Sequence, residues 1–469
     1  MIQKILDIHI HSKYSRACSK DLELPKIAAA CLIKGIDIVA TGDFTHPAWF
    51  EHIKESLVEV NNSGLYQLSS RANARDLFQY CDSRENGNVS NRVMDSRLPA
   101  GRHSLRGNDN IDDNSKLKIT DIKFILSAEI SCIYKHKDKT RRLHLVILAP
   151  NIEAVEKFNA ELDKRKINRH SDGRPIMGLS AKEILRILLE IDERFLLIPA
   201  HAWTPWFSIF GSKSGYDSIE ECFEELAPHI KAIETGLSSD PPMNRRWSKL
   251  DNIILVSNSD AHSLNNLGRE ANVFAFENEN DINFKEIARI IKTGDRKNFL
   301  YTIEFYPEEG KYHYDGHADC KICFAPAETK KHHNICPKCK KELTVGVLNR
   351  ADKLADRNEN DIPKNKFIPH KYIVPLREII SGVFEVGVAS KRVKKEYDAM
   401  IKNIGNEFYI LLQATDEEIL KNISDKNIFS AIKNTRSGRV KINPGYDGVF
   451  GKVDTLPKKI KQSGQRALL

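Results

Sequence analysis

The sequence lacks any apolar run approaching the ~20 residues that a membrane-spanning helix needs. Its amino terminus also lacks the basic region, apolar core and small-residue cleavage site of a secretory signal peptide. These two absences predict a cytoplasmic protein. The 41% of hydrophobic and 29% of charged residues are typical of a soluble globular protein, and 469 residues are too many for one hydrophobic core.

Cysteine is sparse except in one cluster. Five of the nine cysteines are scattered over the first 222 residues, whereas Cys320, Cys323, Cys336 and Cys339 form two Cys-x-x-Cys pairs. In a chain without export signals, such a cluster favours metal binding over disulfides. Four thiolates complete the tetrahedral coordination of a zinc ribbon, so we expect a structural Zn²⁺ with no open position for catalysis.

Positive charge is spread unevenly along the chain. The net charge is +8, with 30 Lys and Arg against 19 Asp and Glu in residues 310–469 and 42 against 45 in residues 1–309. A basic carboxyl half behind a near-neutral front indicates a catalytic body with a polyanion-binding end. An ordinary solvated basic surface is the alternative.

Short β-rich runs alternate with helical periodicity through the first three hundred residues. The predicted strands include Leu6–Ile10, Phe124–Ser131 and Ile253–Ser257. This alternation predicts a parallel α/β sheet, and the number of units favours a barrel over an open sheet. Residues 83–117 have few large hydrophobic side chains and no period, so we predict a disordered insertion there.

The remaining chain divides into two further predicted domains. Residues 306–350 form the four-cysteine zinc-binding module, and residues 351–469 form a small α+β basic domain in which Phe408–Leu412 is a predicted strand. A predicted helix in this domain carries cations that would contact DNA phosphates, namely Lys391, Arg392, Lys394 and Lys395. Residues 438–452 mix glycines, cations and aromatics, which suits contact with a nucleic-acid backbone or with a base through Tyr446 and Phe450. A closing hairpin is the alternative.

The candidate site begins at Asp7–Ser12. In a strand successive side chains point to opposite faces, so His9 and His11 share one face while Ile8 and Ile10 lie on the other. Two converging neutral imidazoles are typical ligands of divalent transition metals. The alternative is a pair of unrelated histidines on a half-exposed strand.

More metal-binding side chains lie at the carboxyl ends of predicted strands, where active sites of α/β barrels are found. Glu129 offers a bridging carboxylate, and Asp260 with His262 repeats the alternation of the first pair. Together such side chains can hold two or three divalent metals that activate water and neutralise phosphoester oxygens. The predicted ligands are His9, His11, Asp43, Glu129, His144, His201, Asp260 and His262, with Glu129, Asp260 and His262 also predicted as catalytic.

In chain order, these motifs resemble those of the polymerase and histidinol phosphatase (PHP) superfamily. The resemblance implies that residues 1–305 form a distorted (β/α)7 PHP barrel with a multinuclear metal site. The second motif of the superfamily reads Thr-Asp-His, whereas Phe44 stands at the histidine position here. Asp43 or the displaced His46 must therefore supply that ligand.

Nearly the whole chain is similar to the endonuclease Q family, through runs such as 42–47, 203–208, 234–240, 309–317 and 445–452. The resemblance implies a DNA-repair nickase that cuts on the 5′ side of uracil, hypoxanthine, xanthine and abasic sites by attack of a metal-activated water. It implies Mg²⁺ or Mn²⁺ as the cofactor, with Zn²⁺ as an alternative in the barrel. The implied partner is double- or single-stranded DNA with a damaged base.

To choose a lesion, the protein must inspect a base outside the stack. Trp203, Trp206 and Phe207 directly follow His201 and are candidates to wall a flipped base, with packing at the top of the barrel as the alternative. Residues 465–469 resemble the start of a sliding-clamp peptide but lack its aromatic pair.

Two other functions remain open from the sequence. A small-molecule phosphoesterase of the histidinol phosphatase kind would share the barrel, but it explains neither the zinc ribbon nor the basic carboxyl half. A non-catalytic nucleic-acid-binding module on a decayed barrel would be expected to have lost its metal ligands.

Overall fold

The computed structural model describes residues 1–70 and 118–456. The insertion predicted at 83–117 and the clamp-like segment at 465–469 therefore lie outside the described residues. The described strands are β1 (Ile2–Asp7), β2 (Ile38–Ala40), β3 (Leu57–Glu59), β4 (Leu65–Leu68), β5 (Lys123–Ile125), β6 (Ser127–His136), β7 (Lys139–Leu148), β8 (Ile176–Met177), β9 (Leu196–Pro199), β10 (Ala232–Glu234), β11 (Ile254–Val256), β12 (Ala271–Phe276), β13 (Phe299–Glu304), β14 (Asp315–His317), β15 (Ile322–Phe324), β16 (His370–Tyr372), β17 (Lys441–Asn443) and β18 (Lys452–Asp454).

Helices separate many of these strands. The described α-helices are α1 (Leu24–Lys34), α2 (Pro47–Ser56), α3 (Ile152–Lys164), α4 (Ala181–Ile191), α5 (Ile219–Phe223), α6 (Pro241–Arg245), α7 (Phe284–Thr293), α8 (Pro326–Lys331), α9 (Val347–Leu354), α10 (Leu376–Phe384), α11 (Lys391–Asn403), α12 (Glu407–Leu412), α13 (Asp416–Lys421) and α14 (Lys426–Arg436). Within the described ranges, no helix is long and apolar enough to cross a membrane.

β1 lies inside an eight-stranded sheet with the order β16-β13-β12-β1-β2-β5-β4-β3. It pairs antiparallel with β12 and parallel with β2. A second sheet has the order β8-β6-β7-β9, and β10 and β11 form a parallel pair. Strands and helices thus share one mixed α/β architecture, which confirms the predicted class.

The long β6–β7 hairpin differs from the parallel sheet that the alternation predicted. Its ten residue pairs run antiparallel from Ser127↔Leu148 to His136↔Lys139. Lys137 and Asp138, both with positive φ, form the two-residue turn that this pairing requires. The described strands pair in several separate sheets, and a closed (β/α)7 barrel stays a prediction.

The first histidine pair lies just beyond the end of β1 and not within a regular strand as predicted. β1 ends at Asp7, and the chain continues extended, with the backbone N–H of His11 donating to the carbonyl of Ala261 over 3.2 Å. Ile8 and Ile10 are fully buried in the apolar core. The predicted alternation therefore holds, although regular strand pairing ends earlier.

Side-chain caps mark the starts of α3, α4 and α7, among other helices. Asn151, Ser180 and Asn283 each accept a hydrogen bond from the backbone N–H three residues further on, at the starts of α3, α4 and α7. Each such cap is worth about 1 kcal/mol. The apolar faces of these helices are buried in the core that the sheets share.

The segment with the cysteine cluster packs against the loop that follows His201. β14 and β15 form an antiparallel hairpin in this segment, and α9 carries the buried Arg350. The Arg350 guanidinium donates to the carbonyls of Phe210 and Tyr216, each over 2.9 Å. The cysteine-containing segment is therefore fixed beside one of the predicted metal ligands.

A strand pair and a buried ion pair are among the contacts that join the carboxyl-terminal part to the amino-terminal part. β16 pairs in parallel with β13 at the edge of the main sheet. Lys34 at the end of α1 forms a buried ion pair of 2.7 Å with Glu407 of α12. The boundaries predicted at 305/306 and 350/351 stay predictions.

The strand predicted at Phe408–Leu412 is wrong, because these residues lie in helix α12. The Asn406 side chain caps this helix by accepting from the backbone N–H of Tyr409 over 2.8 Å. The period of a short apolar run does not distinguish a strand from a buried helix. Here the Asn406 cap favours the helix.

Candidate metal centre

Glu129 on β6 lies at the middle of the predicted ligands. Its Oε1 is 2.9 Å from His144 Nδ1 and 3.1 Å from His201 Nε2. Its Oε2 is 3.3 Å from His11 Nε2 and 3.8 Å from His9 Nε2. One buried carboxylate thus lies beside four imidazoles from three separate segments of the chain.

His9 is fixed by a carboxylate that the predicted ligand set did not include. Its Nδ1 donates to Glu234 at the end of β10, with 2.9 Å to Oε1 and 3.1 Å to Oε2. Glu234 also accepts from the backbone N–H of His201 and from the Asn258 amide, each over 2.8 Å. Glu234 therefore holds His9 and His201 together, which is typical of the outer shell of a metal site.

His11 is held in the same manner by Asp43. The His11 Nδ1 is 3.1 Å from Asp43 Oδ1, and its Nε2 is 3.0 Å from Asp260 Oδ1. The second oxygen of Asp43 accepts from the Ser12 and Ser15 hydroxyls over 2.6 and 2.9 Å. Asp43 thus lies behind His11, on the side away from Glu129 and Asp260.

His46, the other candidate for the second motif, points elsewhere. Its ring stacks on Tyr14 with centroids 4.3 Å apart, and its ring centroid is 6.4 Å from that of His170. In the described residues, neither Asp43 nor His46 belongs to a group of converging metal-ligating atoms. Which of them binds a metal stays a prediction.

Asp260 and His262 approach from the turn after β11. The backbone N–H of Asp260 donates to the His9 carbonyl over 3.0 Å, and its φ is +45°. The Nδ1 of His262 donates to the Asp260 carbonyl over 2.8 Å, and its ring lies 4.6 Å from that of His11. Asp260 therefore points toward His11, while His262 covers that imidazole from the side.

The converging atoms form two groups that share Glu129. The first contains His9, His11, Glu129 and Asp260, and the second contains Glu129, His144 and His201, with the ligand atoms of each group within 4.8 Å of one another. The His9 Nε2 is buried and has no hydrogen-bond partner. Imidazole and carboxylate donors suit Mn²⁺, Mg²⁺ or Zn²⁺, so these residues fit a pair of divalent metals.

Arg174 is a second residue that the sequence did not indicate. Its guanidinium donates to Glu129 Oε2 over 2.8 Å from the loop before β8. Burial alone would raise the pKa of the Glu129 carboxyl, but His144 and Arg174 outweigh burial and hold that pKa well below its usual range. Glu129 is therefore a carboxylate at neutral pH, ready to bind a cation.

A glycine allows this loop to reach the site. A Cβ at Gly173 would lie 2.3 Å from Asp43 Oδ2 and 2.4 Å from the Ser15 hydroxyl. The Gly173 backbone N–H donates to the Tyr14 carbonyl over 3.0 Å. A larger residue here would push Arg174 away from Glu129.

Two of the three aromatics predicted to wall a flipped base have other contacts. One packs inside the protein, and the other packs against His144, a predicted metal ligand. Trp203 is 1% exposed, and its indole N–H donates to the Asn244 side chain over 2.7 Å. The Phe207 ring lies against His144 with centroids 4.6 Å apart. Trp203 is therefore a packed core residue, which was the alternative to a role in binding a base.

Trp206 instead lines an open cavity. It is 43% exposed, and its ring lies 6.3 Å from that of Tyr312 across a cavity of about 210 Å³. Thr204, which also lines the cavity, places its hydroxyl 3.2 Å from His201 Nδ1. The cavity is thus one side chain away from a candidate metal ligand.

The glycine-rich run near the carboxyl terminus forms a hairpin beside this cavity. β17 and β18 pair antiparallel, as the closing-hairpin alternative predicted, and the Tyr314 backbone N–H donates to the Gly445 carbonyl over 2.9 Å. Tyr446 is half-buried next to Gly316. Phe450 is 69% exposed, with Lys311 Nζ 4.6 Å from its ring centroid.

The four predicted phosphate-binding cations are all exposed on α11. Arg392 lies over the Phe384 ring at 3.9 Å, and Lys394 Nζ is 2.8 Å from the Asp398 carboxylate. Lys391 and Lys395 are exposed beside them. Their contact with DNA stays a prediction.

Three of the four predicted zinc ligands converge in the cysteine cluster. Cys320, Cys336 and Cys339 form a group with His317, with ligand atoms within 4.8 Å of one another. The Cys323 sulfur lies outside this group, 3.9 Å from the Pro444 carbonyl oxygen. The donor set of thiolates and an imidazole suits zinc.

Comparison with known proteins relates the chain to two kinds of relative. Residues 375–439 match the family described as the MJ0043 C-terminal domain. The uncharacterized protein MJ0043 of Methanocaldococcus jannaschii is 33% identical over 266 residues, which cover 56% of this chain and 32% of that protein. The chain thus spans about a third of the length of this curated relative.

Two solved structures are similar along almost the whole chain. The lesion-specific endonuclease PfuEndoQ from Pyrococcus furiosus is 27% identical, with a TM-score of 0.76 and 98% of both chains covered. Endonuclease Q in complex with a 27-mer duplex substrate, which carries an abasic lesion at the active site, is also 27% identical. Its TM-score is 0.75, with 98% of this chain and 99% of that chain covered.

The protein is thus one of the mixed α/β proteins that carry a buried centre of histidines and carboxylates and a separate cluster of thiols. Within that class, the full-length similarity confirms the resemblance stated from the sequence motifs. The chain belongs to the endonuclease Q family.

We expect Glu234→Gln to weaken metal binding without unfolding the protein. The amide keeps the size of the side chain but removes the charge that orients His9 and His201, and such outer partners typically account for 10–100-fold in affinity. Isothermal titration with Mn²⁺ measures the change, and Glu286→Gln on α7 is the control. Unchanged Mn²⁺ affinity would contradict the role assigned to Glu234.

We expect Cys320→Ser to release zinc and to open residues 310–350 to protease. The segment has only a small apolar core of its own, formed by Phe324, Cys336 and Leu343, so it depends on the metal. Zinc analysis and limited proteolysis check this, with the exposed Lys341→Gln as the control. Full zinc content with normal protease resistance would argue against a zinc site here.

Proposed function

We propose that this protein is a metal-dependent DNA-repair endonuclease. It would nick the phosphodiester on the 5′ side of a damaged base, with uracil, hypoxanthine, xanthine and abasic sites as the candidate lesions. The proposal rests on one observation, the two groups of imidazoles and carboxylates joined through Glu129. Full-length similarity to endonuclease Q, one structure of which contains a duplex with an abasic lesion, supports DNA as the partner.

We also propose that residues 1–305 form a distorted (β/α)7 PHP barrel, followed by the zinc module at 306–350 and the basic domain at 351–469. Backbone hydrogen bonds also join segments at the ends of strands that do not pair with each other in a regular ladder. The N–H of Ala202, after β9, donates to the Glu234 carbonyl on β10, and the N–H of Asp260, after β11, donates to the His9 carbonyl after β1. These bonds support a ring of strands around Glu129.

The two ligand groups would hold the metals of the reaction. Divalent metals, when bound there, activate a water and neutralise the charge that develops on the phosphate oxygens. Glu129 belongs to both groups and so would bridge the metals, with Asp260 completing the first group. Glu234 and Asp43 accept from the Nδ1 atoms of His9 and His11, which leaves the Nε2 atoms to bind metal.

His262 would act at the edge of the site. Burial lowers the pKa of its imidazole, so the ring is neutral near pH 7. Its Nδ1 donates to the Asp260 carbonyl, which leaves an unprotonated Nε2 to bind a further metal or to accept a proton from the attacking water.

Arg174 would bind the phosphate that is cut. Its side chain is 22% exposed while its guanidinium touches Glu129, so it reaches both the solvent and the metal ligands. A phosphate bound between the metals and this guanidinium would have positive charge on both sides. A planar guanidinium also matches two phosphate oxygens better than an ammonium does.

The cavity beside His201 would receive the inspected base. Trp206 and Tyr312 offer ring faces for stacking, and Lys311 adds a positive charge at the rim. The exposed ring of Phe450 lies on the same side, against Lys311. Stacking on such rings is worth about 1–3 kcal/mol per base and tolerates different lesions. The cations on α11 would add phosphate contacts without choosing a sequence.

The activity is tested with end-labelled duplexes that carry uracil, hypoxanthine, an abasic site or no lesion, with and without Mg²⁺ or Mn²⁺. We expect a single nick on the 5′ side of each lesion, only with metal, and no cut in the intact duplex. Turnover of a chromogenic phosphomonoester without any nicking would favour a small-molecule phosphoesterase instead.

We expect Glu129→Gln to reduce nicking by about 100-fold or more while DNA binding persists. Loss of the shared carboxylate removes metal-based stabilisation worth several kcal/mol. Single-turnover nicking and fluorescence anisotropy with the same duplex separate the two effects. Glu156→Gln on the exposed face of α3 is the control, and near-normal nicking by the Glu129 variant would refute the assigned centre.

We expect Arg174→Gln to lower the single-turnover nicking rate by about 10–100-fold, because a lost hydrogen bond to a charged group costs about 1.5–3 kcal/mol. Arg174→Lys should recover part of this rate, since it keeps the charge but not the planar fork. Arg194→Gln, which removes a surface arginine paired with Asp192, is the control. An unchanged rate for both Arg174 variants would exclude a phosphate contact.

A further inference from the structure

The Thr204 side chain lies between a candidate metal ligand and the cavity that Trp206 lines. Its hydroxyl oxygen is 3.2 Å from His201 Nδ1 and 2.9 Å from the Trp206 carbonyl oxygen. We propose that Thr204 is a positioning residue that holds His201 in the tautomer protonated at Nδ1 and so leaves Nε2 to bind metal. This inference rests on the proposed function and deepens it, because it assigns an outer partner to the same centre.

The direction of the two hydrogen bonds follows from the donors present. A hydroxyl has one proton to donate, whereas a backbone carbonyl can only accept. The Thr204 hydroxyl therefore donates to the Trp206 carbonyl, which is closer than the His201 carbonyl at 3.4 Å. The hydroxyl oxygen then accepts from His201 Nδ1, so the proton of the neutral imidazole lies on Nδ1 and the lone pair on Nε2.

This lone pair lies where a metal ligand is needed. His201 Nε2 is 3.1 Å from Glu129 Oε1 and 3.2 Å from His144 Nδ1, which are the other two donors of the second group. An unprotonated nitrogen and a carboxylate oxygen cannot form a hydrogen bond with each other. Their approach is favourable when both bind one cation, so the tautomer held by Thr204 is the one that suits metal binding.

The first group shows the same arrangement with a different outer partner. Its two imidazoles donate their Nδ1 protons to carboxylates, His9 to Glu234 and His11 to Asp43. His201 has the neutral hydroxyl of Thr204 in that place. A hydrogen bond to Nδ1 fixes the tautomer and the ring orientation of an imidazole ligand. Thr204 thus gives the second group the orientation that carboxylates give the first.

The ring of His201 needs this support because its backbone is unusual. His201 has a φ of +29°, and a Cβ at Gly236 would lie 2.6 Å from the His201 Cβ. Such a conformation persists only where the surroundings hold it. Glu234 holds the backbone by accepting from the His201 N–H over 2.8 Å. Thr204 holds the ring.

The backbone of Thr204 is itself fixed. Its N–H donates to the His201 carbonyl over 3.2 Å, and the Ser208 hydroxyl donates to the Thr204 carbonyl. Gly211 packs against the same carbonyl, where a Cβ would lie 2.4 Å from the oxygen. The short Thr204 side chain is therefore kept beside the His201 ring.

Titration of the full-length protein with Mn²⁺ tests the assignment without DNA cleavage. Isothermal titration resolves classes of site, and electron paramagnetic resonance distinguishes a spin-coupled pair of Mn²⁺ ions from the six-line spectrum of a single ion. We expect Thr204→Val, which keeps the shape of the side chain, to weaken the second class by about 10-fold and to leave the first unchanged. At limiting Mn²⁺ the coupled spectrum should then give way to that of a single ion.

Two further variants keep the test free of folding artefacts. Thr204→Ser retains the hydroxyl and should restore the affinity and the coupled spectrum, while Thr140→Val, at an exposed position of β7, should change neither. Unchanged affinity of the second class in Thr204→Val would overturn the proposal. So would equal weakening of both classes, or a Thr204→Ser variant that behaves like Thr204→Val.

These readouts separate the role of Thr204 from the nuclease activity. A wild-type protein that binds Mn²⁺ as a coupled pair but cuts no lesion-containing duplex would refute the proposed endonuclease, and the Thr204 variants would still decide the role of the hydroxyl. A wild-type protein that gives no coupled pair at saturating Mn²⁺ would overturn the role assigned to Thr204.

Discussion

The buried carboxylate of Glu129 is the constraint on which the arrangement of the centre depends. A carboxylate removed from water is stable only when several partners compensate its charge. Here His144, His201, His11 and Arg174 surround its two oxygens within 3.3 Å. These partners come from the β7 strand, the turn after β9, the chain after β1 and the loop before β8. The folding of four separate segments is thus tied to one charge, and bound metals would compensate the same charge more fully.

The carboxyl-terminal parts are fixed to the amino-terminal part by buried charged side chains. Arg350 fixes the cysteine segment on the loop that leads away from His201, and the Lys34–Glu407 pair fixes the terminal helices on α1. Glu407 also accepts from the Tyr397 hydroxyl and the Leu376 backbone N–H, so this buried ion pair has further hydrogen bonds. The cavity between Trp206 and Tyr312 opens next to His201, a predicted metal ligand. Base inspection and phosphate cleavage would then occur on one continuous surface.

Much of the candidate centre could be predicted from the sequence because its residues lie at the ends of strands. His9, Glu129 and His201 follow a period of two or a strand end that the apolar pattern reveals. Glu234 carried the same signal, because it ends the strand-like apolar run of residues 230–234. Arg174 carried none, because it reaches Glu129 from an irregular loop that Gly173 brings close.

The sequence was least informative where local patterns have two solutions. The run Phe408–Leu412 suits a strand or a helix, and only the Asn406 cap distinguishes them. Trp203 suits a base-binding wall or a core, and tertiary packing decides for the core. Both His317 and Cys323 lie three residues from Cys320, and only the folded chain shows that His317 converges with the other thiols while Cys323 does not. In each case the missing information is a contact between segments distant in the chain.

Metal binding by the two groups that share Glu129 is central to the proposed function. The most direct measurement is anomalous diffraction from crystals soaked in Mn²⁺, with maps calculated from data collected where manganese scatters strongly. We predict one peak among His9, His11, Glu129 and Asp260 and a second among Glu129, His144 and His201. A map with no manganese at either group, from crystals in which the protein retains its fold, would contradict the account.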